Sequence, residues 1–257
     1  MKKLISLLLC AALVLSLGAV AFAQDTEVVW DENEETILLE NGGEYGQGET
    51  SFVLVVSCLN ETAVVTVNTD AKTVGEALEE LSIVAGEDSE WGLYVKTVNG
   101  ITADYNVDGT YWAFYIDGEY AATGLDATEI DENAVYMLVV EGIELEEGET
   151  ILLRDGKNYG LGEKVFAFQV IDAEKNETLV TVCTNADTVG QALAELSIIA
   201  GEDSEWGLYV TTVNGITADY NVDGTYWAFY IDGEYAMTGV DATEINEEAV
   251  YTFAVEG

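Results

Sequence analysis

The chain repeats itself. Residues 81–130 match residues 196–245 at an offset of 115, with four differences in fifty positions: Val84/Ile199, Lys96/Thr211, Ala122/Met237 and Leu125/Val240. The match continues more loosely outward, where Glu35-Thr36-Ile37-Leu38-Leu39 echoes Glu149-Thr150-Ile151-Leu152-Leu153. A repeat of this length is a whole domain rather than one unit of a solenoid. The expected organisation is a first copy over 35–142, a short acidic linker over 143–148 and a second copy over 149–257.

The 23 residues at the N-terminus read as a secretory leader. Lys2 and Lys3 precede an apolar run from Leu4 to Ala21, and Ala21-Phe22-Ala23 offers small residues for cleavage before Gln24. Residues 24–34 form an N-terminal segment ahead of the first copy. No later stretch approaches the roughly 18 apolar residues that a membrane-spanning helix needs. The expectation is a secreted, extracellular protein with no membrane insertion after cleavage.

Charge narrows the partners. The chain has 49 Asp and Glu against 8 Lys and Arg, a net charge of −41, and loss of Lys2 and Lys3 takes it to −43. Such a surface repels nucleic acid and anionic membranes and accepts cations or basic surfaces. Disorder is not expected, because 49% of the residues are hydrophobic and 14 are Tyr. There is no His, which removes His-based triads, His acid–base chemistry and His-ligated zinc. No G-x-S-x-G, Walker loop or Cys–His pair is present, so the chain reads as a non-enzyme.

Within each copy the apolar residues alternate and then change period. Phe52, Leu54 and Val56 mark one strand, matched by Phe166, Phe168 and Val170; Val64–Thr69 and Val180–Thr184 mark the next. Asn60-Glu61-Thr62 and Asn176-Glu177-Thr178 have the form of glycosylation sequons and read as turns between these strands. Thr73-x-x-Glu76 and Thr188-x-x-Gln191 are capping boxes ahead of an apolar face at Val74, Leu78 and Leu81. The spacing predicts helices over 74–85 and 189–200, with Gly86 and Gly201 as their stops. Strands at 93–98, 111–116 and 134–140 follow, and Asp117-Gly118 is a two-residue hairpin turn. The expected class is α+β, in ββαβββ order, with one helix packed on a small sheet per copy.

These residues carry a resemblance. Thr73-Val74-Gly75-x-Ala77-Leu78, Val98-Asn99-Gly100, Tyr111-Trp112-x-x-Tyr115-Ile116-Asp117-Gly118 and Gly124 resemble the DUF4430 family. That module is similar to the C-terminal domain of transcobalamin and intrinsic factor. The second copy carries the pattern at Thr188-Val189-Gly190, Ala192-Leu193, Val213-Asn214-Gly215, Tyr226-Trp227, Tyr230-Ile231-Asp232-Gly233 and Gly239. The resemblance implies two tandem β-grasp-like domains. It also implies a corrinoid as candidate ligand, held from one side; the helical barrel domain that covers the other side in the cobalamin carriers can supply a His to the cobalt. This chain has no His for that role.

Two constellations are candidate sites. Asp104-Tyr105-Asn106-Val107-Asp108-Gly109 and Asp219-Tyr220-Asn221-Val222-Asp223-Gly224 have the first half of a calcium loop, with Asp104, Asn106, Asp108, Asp219, Asn221 and Asp223 as candidate ligands. Tyr115 or Tyr230 stands at the twelfth position, where a bidentate Glu belongs, so a turn stabilised by Asx side chains is the competing reading. The second is a tyrosine face. Strand parity puts Tyr111 and Tyr115 opposite Trp112 and Phe114. Tyr94, Tyr111 and Tyr115, with Tyr209, Tyr226 and Tyr230, are expected to line the sheet face that the helix leaves open. The alternatives are that these rings cover one another or form an interface between copies.

The functional expectation is a secreted binding protein that recognises a small molecule, with a corrinoid as the named candidate, or an extracellular surface partner. The alternative is a structural or adhesive extracellular protein, stiffened by calcium, with no small ligand.

Overall fold

The alternation that marks Phe52, Leu54 and Val56 builds a hairpin. A computed structural model of the chain describes residues 36–89, 92–205 and 207–257; the expected leader and N-terminal segment, 1–34, lie outside the described residues. The described chain falls into two compact units, 36–144 and 145–257. In the first unit β1 is Glu44–Gly46, β2 is Thr50–Cys58 and β3 is Glu61–Thr69. β2 and β3 pair antiparallel with Leu54 opposite Val65. Leu59 and Asn60 close the turn with φ of 46° and 62°, the left-handed pair that a two-residue hairpin requires.

Helix α1, Val74–Glu80, follows. The Thr73 hydroxyl accepts from the Glu76 amide at 3.3 Å, and the Glu76 carboxylate accepts from the Thr73 amide at 3.4 Å. Its apolar residues Val74, Ala77 and Leu78 are fully buried against Phe52, Leu54, Val65, Val67, Trp112 and Leu138.

The helix is shorter than its periodicity suggests. Ser82 takes a left-handed φ of 53°, its amide donates to Glu79 O at 2.9 Å, and the Ile83 amide donates to Leu78 O at 2.8 Å. This is a Schellman stop with serine where glycine is usual. Gly86 instead lies in β4, Val84–Ser89, at a bulge against β5, Gly92–Val98. A Cβ on Gly86 would stand 2.1 Å from Tyr94 O, so the close strand approach is what requires glycine there.

β5 also pairs with β6, Ile101–Thr102, and these three strands form a small sheet of their own. The chain then returns to the main sheet through β7, Tyr111–Ile116, β8, Glu119–Tyr120, and β9, Val135–Glu141. The Asp117-Gly118 turn between β7 and β8 has φ of 52° and 83°. The main sheet runs β8-β7-β9-β2-β3-β1, with β9 and β2 parallel at its centre. The described residues are mostly β with one α-helix per unit. The expected ββαβββ order is therefore incomplete, since β1, β4, β6 and β8 are additional.

The second unit repeats this plan: β10 Asn158–Tyr159, β11 Lys164–Ile171, β12 Glu177–Thr184, α2 Val189–Glu195, β13 Ile199–Ser204, β14 Gly207–Val213, β15 Ile216–Thr217, β16 Tyr226–Ile231, β17 Glu234–Tyr235 and β18 Val250–Glu256. α2 ends as α1 does, with Ser197 at φ 54° and the Ile198 amide on Leu193 O. The Thr188 hydroxyl caps Gln191, while the Gln191 side chain accepts from Asp187 instead of Thr188. The β11–β12 connection spans five residues, 172–176, against two in β2–β3: one strand pair is lost and one residue is inserted, with Lys175 left-handed at φ 68°. That insertion accounts for the change of repeat offset along the chain. Cys58 joins the first core, whereas Cys183 packs with Val165 on the opposite face of its sheet.

Candidate functional site

β7 positions the site. Its alternation sends Trp112 and Phe114 into the core, at 8% and 9% exposure, and leaves Tyr111 and Tyr115 half-buried on the other face. The Trp112 indole donates to Ile101 O, which fixes this parity. Tyr111 lies opposite Glu141 of β9, and Tyr115 opposite Met137. Both tyrosine hydroxyls donate to the Glu141 carboxylate, one to each oxygen.

Two further rings complete a ledge. Tyr105, from the loop before β7, meets Tyr111 edge-on with centroids 6.3 Å apart. Tyr120, on β8, meets Tyr115 edge-on at 5.4 Å. Tyr105 and Tyr120 are each 64% exposed. The second unit reproduces the group: Tyr226 and Tyr230 donate to Glu256, Tyr235 meets Tyr230 at 5.5 Å, and Tyr220 and Tyr235 are exposed.

The carboxylates shift the phenols. The hydrogen bond to Glu141, then burial, pushes the Tyr115 hydroxyl up to about 12. Tyr230 is pushed up to about 12 by Glu256 in the same way. Tyr111 is raised chiefly by its bond to Glu141, and Tyr226 chiefly by desolvation. These phenols therefore stay neutral donors at physiological pH, with the carboxylate as acceptor.

Of the six expected tyrosines, the structure groups four in two pairs. Tyr94 and Tyr209 lie on β5 and β14, in the small sheets, so they do not share the main-sheet face on which the others stand. Nor is the whole outer face open: Val53, Val55 and Val64 on that face of the first unit are buried, whereas Tyr120 on β8 is exposed. Sequence reasoning missed Tyr105, Tyr120, Tyr220 and Tyr235, and the two glutamates. The ladder position of Glu141 opposite Tyr111 was the available signal.

The acidic loops are tied up as turns. Asp104 Oδ1 accepts from the Asn106 amide at 3.0 Å, and Asp108 Oδ1 accepts from the Thr110 amide at 2.8 Å and hydroxyl at 2.6 Å. Asp219 and Asp223 do the same with Asn221 and Thr225. In the first unit the Lys96 ammonium lies 3.3 Å from Asp104 and 2.9 Å from Glu87; Thr211 replaces it in the second. Among the described residues no three His, Cys, Asp or Glu side chains converge to hold a metal ion. Asp104, Asp108, Asp219 and Asp223 thus make Asx turns, in which Asn106 and Asn221 take part through their backbone amides.

A family model described as a domain of unknown function, DUF4430, matches residues 71–135 and 186–256, more than half of the chain. The chain belongs to the DUF4430 family. Both DUF4430 segments contain a helix and a ledge strand; Glu256 falls inside the second segment and Glu141 just beyond the first. No curated protein matches the chain. Solved structures are similar over part of it, two of them as follows. A candidate metal-binding protein from Ruminococcus gnavus is 28% identical, with a TM-score of 0.35, over 37% of this chain and 97% of that one. Haptocorrin in complex with Cbi is 18% identical, with a TM-score of 0.31, over 38% of this chain, which spans 27% of the haptocorrin chain. No helix among the described residues is long and apolar enough to cross a membrane.

Proposed function

We propose that the chain is a secreted, non-enzymatic binding protein made of two β-grasp-like domains, 35–142 and 149–257, each recognising its partner through the tyrosine ledge. The central parallel β2–β9 pair, flanked by antiparallel neighbours and crossed by one helix, supports the β-grasp-like assignment. The observation that carries the function is the ledge itself: in each unit two tyrosine hydroxyls meet on one glutamate, and a further exposed tyrosine stands edge-on to one of them. Tyrosine presents an apolar ring and a wet polar tip, which suits reversible contact with a partly polar surface. An open ledge favours an extended surface partner over an engulfed small molecule, which a concave site would bury.

The test is a titration of the leader-free protein, carrying isotope-labelled tyrosine, against dicyanocobinamide, neutral oligosaccharides and basic peptides. A ligand that moves the Tyr111, Tyr115, Tyr226 or Tyr230 ring resonances saturably supports the reading. Binding that leaves all four unmoved, and survives their replacement by Phe and Ala, sinks it.

A further inference from the structure

We propose that each tyrosine ledge docks a lysine- or arginine-bearing segment of a protein partner, with the cationic side chain set between the exposed rings and the buttressed glutamate. This rests on the ledge being the recognition surface and names what it recognises.

Three observations converge on a cation. Glu141 and Glu256 take their hydrogen bonds from neutral phenols, and among the described residues neither is ion-paired with Lys or Arg. Each is therefore an anion held in place by donors that do not cancel its charge. Around it stand rings whose partners meet them edge-on, at interplanar angles of 76° for Tyr115–Tyr120 and 80° for Tyr230–Tyr235. An edge-on contact covers a face of one ring only, and Tyr120 and Tyr235 are 64% and 59% exposed, so ring surface remains accessible; a ring face attracts ammonium and guanidinium groups. The long-range field points the same way, since a net charge of −41 steers basic partners in and keeps anionic ones out.

A polypeptide suits the ledge better than a free amine. Val107 and Val222 are 80% and 81% exposed in the loops that carry Tyr105 and Tyr220. They offer apolar contact to chain on either side of the docked cation.

The experiment uses the full leader-free chain. Hexalysine, hexaarginine and a neutral hexasaccharide are titrated by calorimetry and by tyrosine ring resonances, at low and physiological salt. The expected result is saturable binding of both basic peptides with shifts at Tyr105, Tyr120, Tyr220 and Tyr235. The fourfold Tyr→Ala variant at these exposed positions should bind at least about tenfold more weakly, a loss of about 1.4 kcal/mol. The Glu141→Gln, Glu256→Gln variant should weaken binding likewise while its circular dichroism is unchanged. Basic peptides that bind the fourfold variant as tightly as the parent would reveal diffuse attraction and overturn the proposal. Rings moved by the saccharide and not by the peptides would overturn it while leaving the ledge as the recognition surface. Rings moved by nothing in the panel would also overturn it, and rings that dicyanocobinamide leaves unmoved as well would overturn both.

Discussion

The hydroxyl of Tyr115 is bonded to Glu141, although the strand ladder sets Tyr115 opposite Met137. The ring therefore lies along the sheet rather than standing off it, and its acid chemistry belongs to the pair. Its value of about 12 lies above the ordinary 10.0, so the neutral hydroxyl stabilises the fold. The sign follows by linkage: this contribution is complete below pH 10 and is lost as pH rises through about 12. An absorbance titration should show Tyr115 and Tyr230 ionising near 12, after the exposed tyrosines. Glu141→Gln and Glu256→Gln should bring them back toward the rest. A single transition in the parent, shared by all 14 tyrosines, would remove the pairing.

The helix start is the next test. Thr73→Ala deletes the side-chain acceptor of the Glu76 amide, and Thr188→Ala that of Gln191. Each should cost about 1 kcal/mol, read as a lower denaturant midpoint with unchanged slope. Thr73→Ser, which keeps the oxygen, should recover most of the loss.

Gly75 and Gly190 should behave against helix propensity. Alanine in a helix interior normally gains about 0.5–1 kcal/mol over glycine. Here a Cβ on Gly75 would stand 2.7 Å from the Asp126 backbone, and one on Gly190 2.7 Å from the Asp241 backbone. Backbone cannot swing aside as a side-chain tip can, so Gly75→Ala should destabilise by about 1–3 kcal/mol. A neutral or stabilising change on thermal unfolding would show that the 3-10 turn at Leu125–Ala127 shifts freely.

Much of this was legible because period and caps are local. The parity that buries Trp112 and exposes Tyr111 follows from alternation alone, and Thr73 with Glu76 marks the helix start. The helix end was hidden because Ser82 adopts the left-handed turn usually given to glycine, while Gly86 drew attention for a reason that belongs to a strand. β4 was hidden because Val-Ala-Gly-Glu-Asp-Ser has no apolar alternation and is held by its partner β5. The ledge was half legible. Tyr105 sits in a loop with no periodicity, and Glu141 is one of 49 acids, distinguished only by the residue across the ladder.

The acidic loops make the last prediction. Asp108 Oδ1 already accepts twice from Thr110, and Asp223 Oδ1 twice from Thr225. The Asp223 carboxyl is held below the ordinary range, first by the Thr225 hydroxyl and then by the Thr225 amide. Asp104 is held low by the Asn106 amide first and then by Lys96. A calcium ion would have to replace these bonds, and in the first unit it would also displace the Lys96 ammonium. At the twelfth position Tyr115 and Tyr230 offer hydroxyls already committed to Glu141 and Glu256. Millimolar Ca²⁺ should therefore raise the melting temperature only by screening the charge of −41, and Mg²⁺ at equal ionic strength should match it. Asp108→Ala with Asp223→Ala should lower the baseline melting temperature, because two turns lose their acceptors, and should keep the full Ca²⁺ shift. A shift specific to Ca²⁺ that disappears in the double variant would make these loops cation sites. Restricting that shift to the second unit, where Thr211 stands in place of Lys96, would identify the ammonium as what excludes the ion from the first.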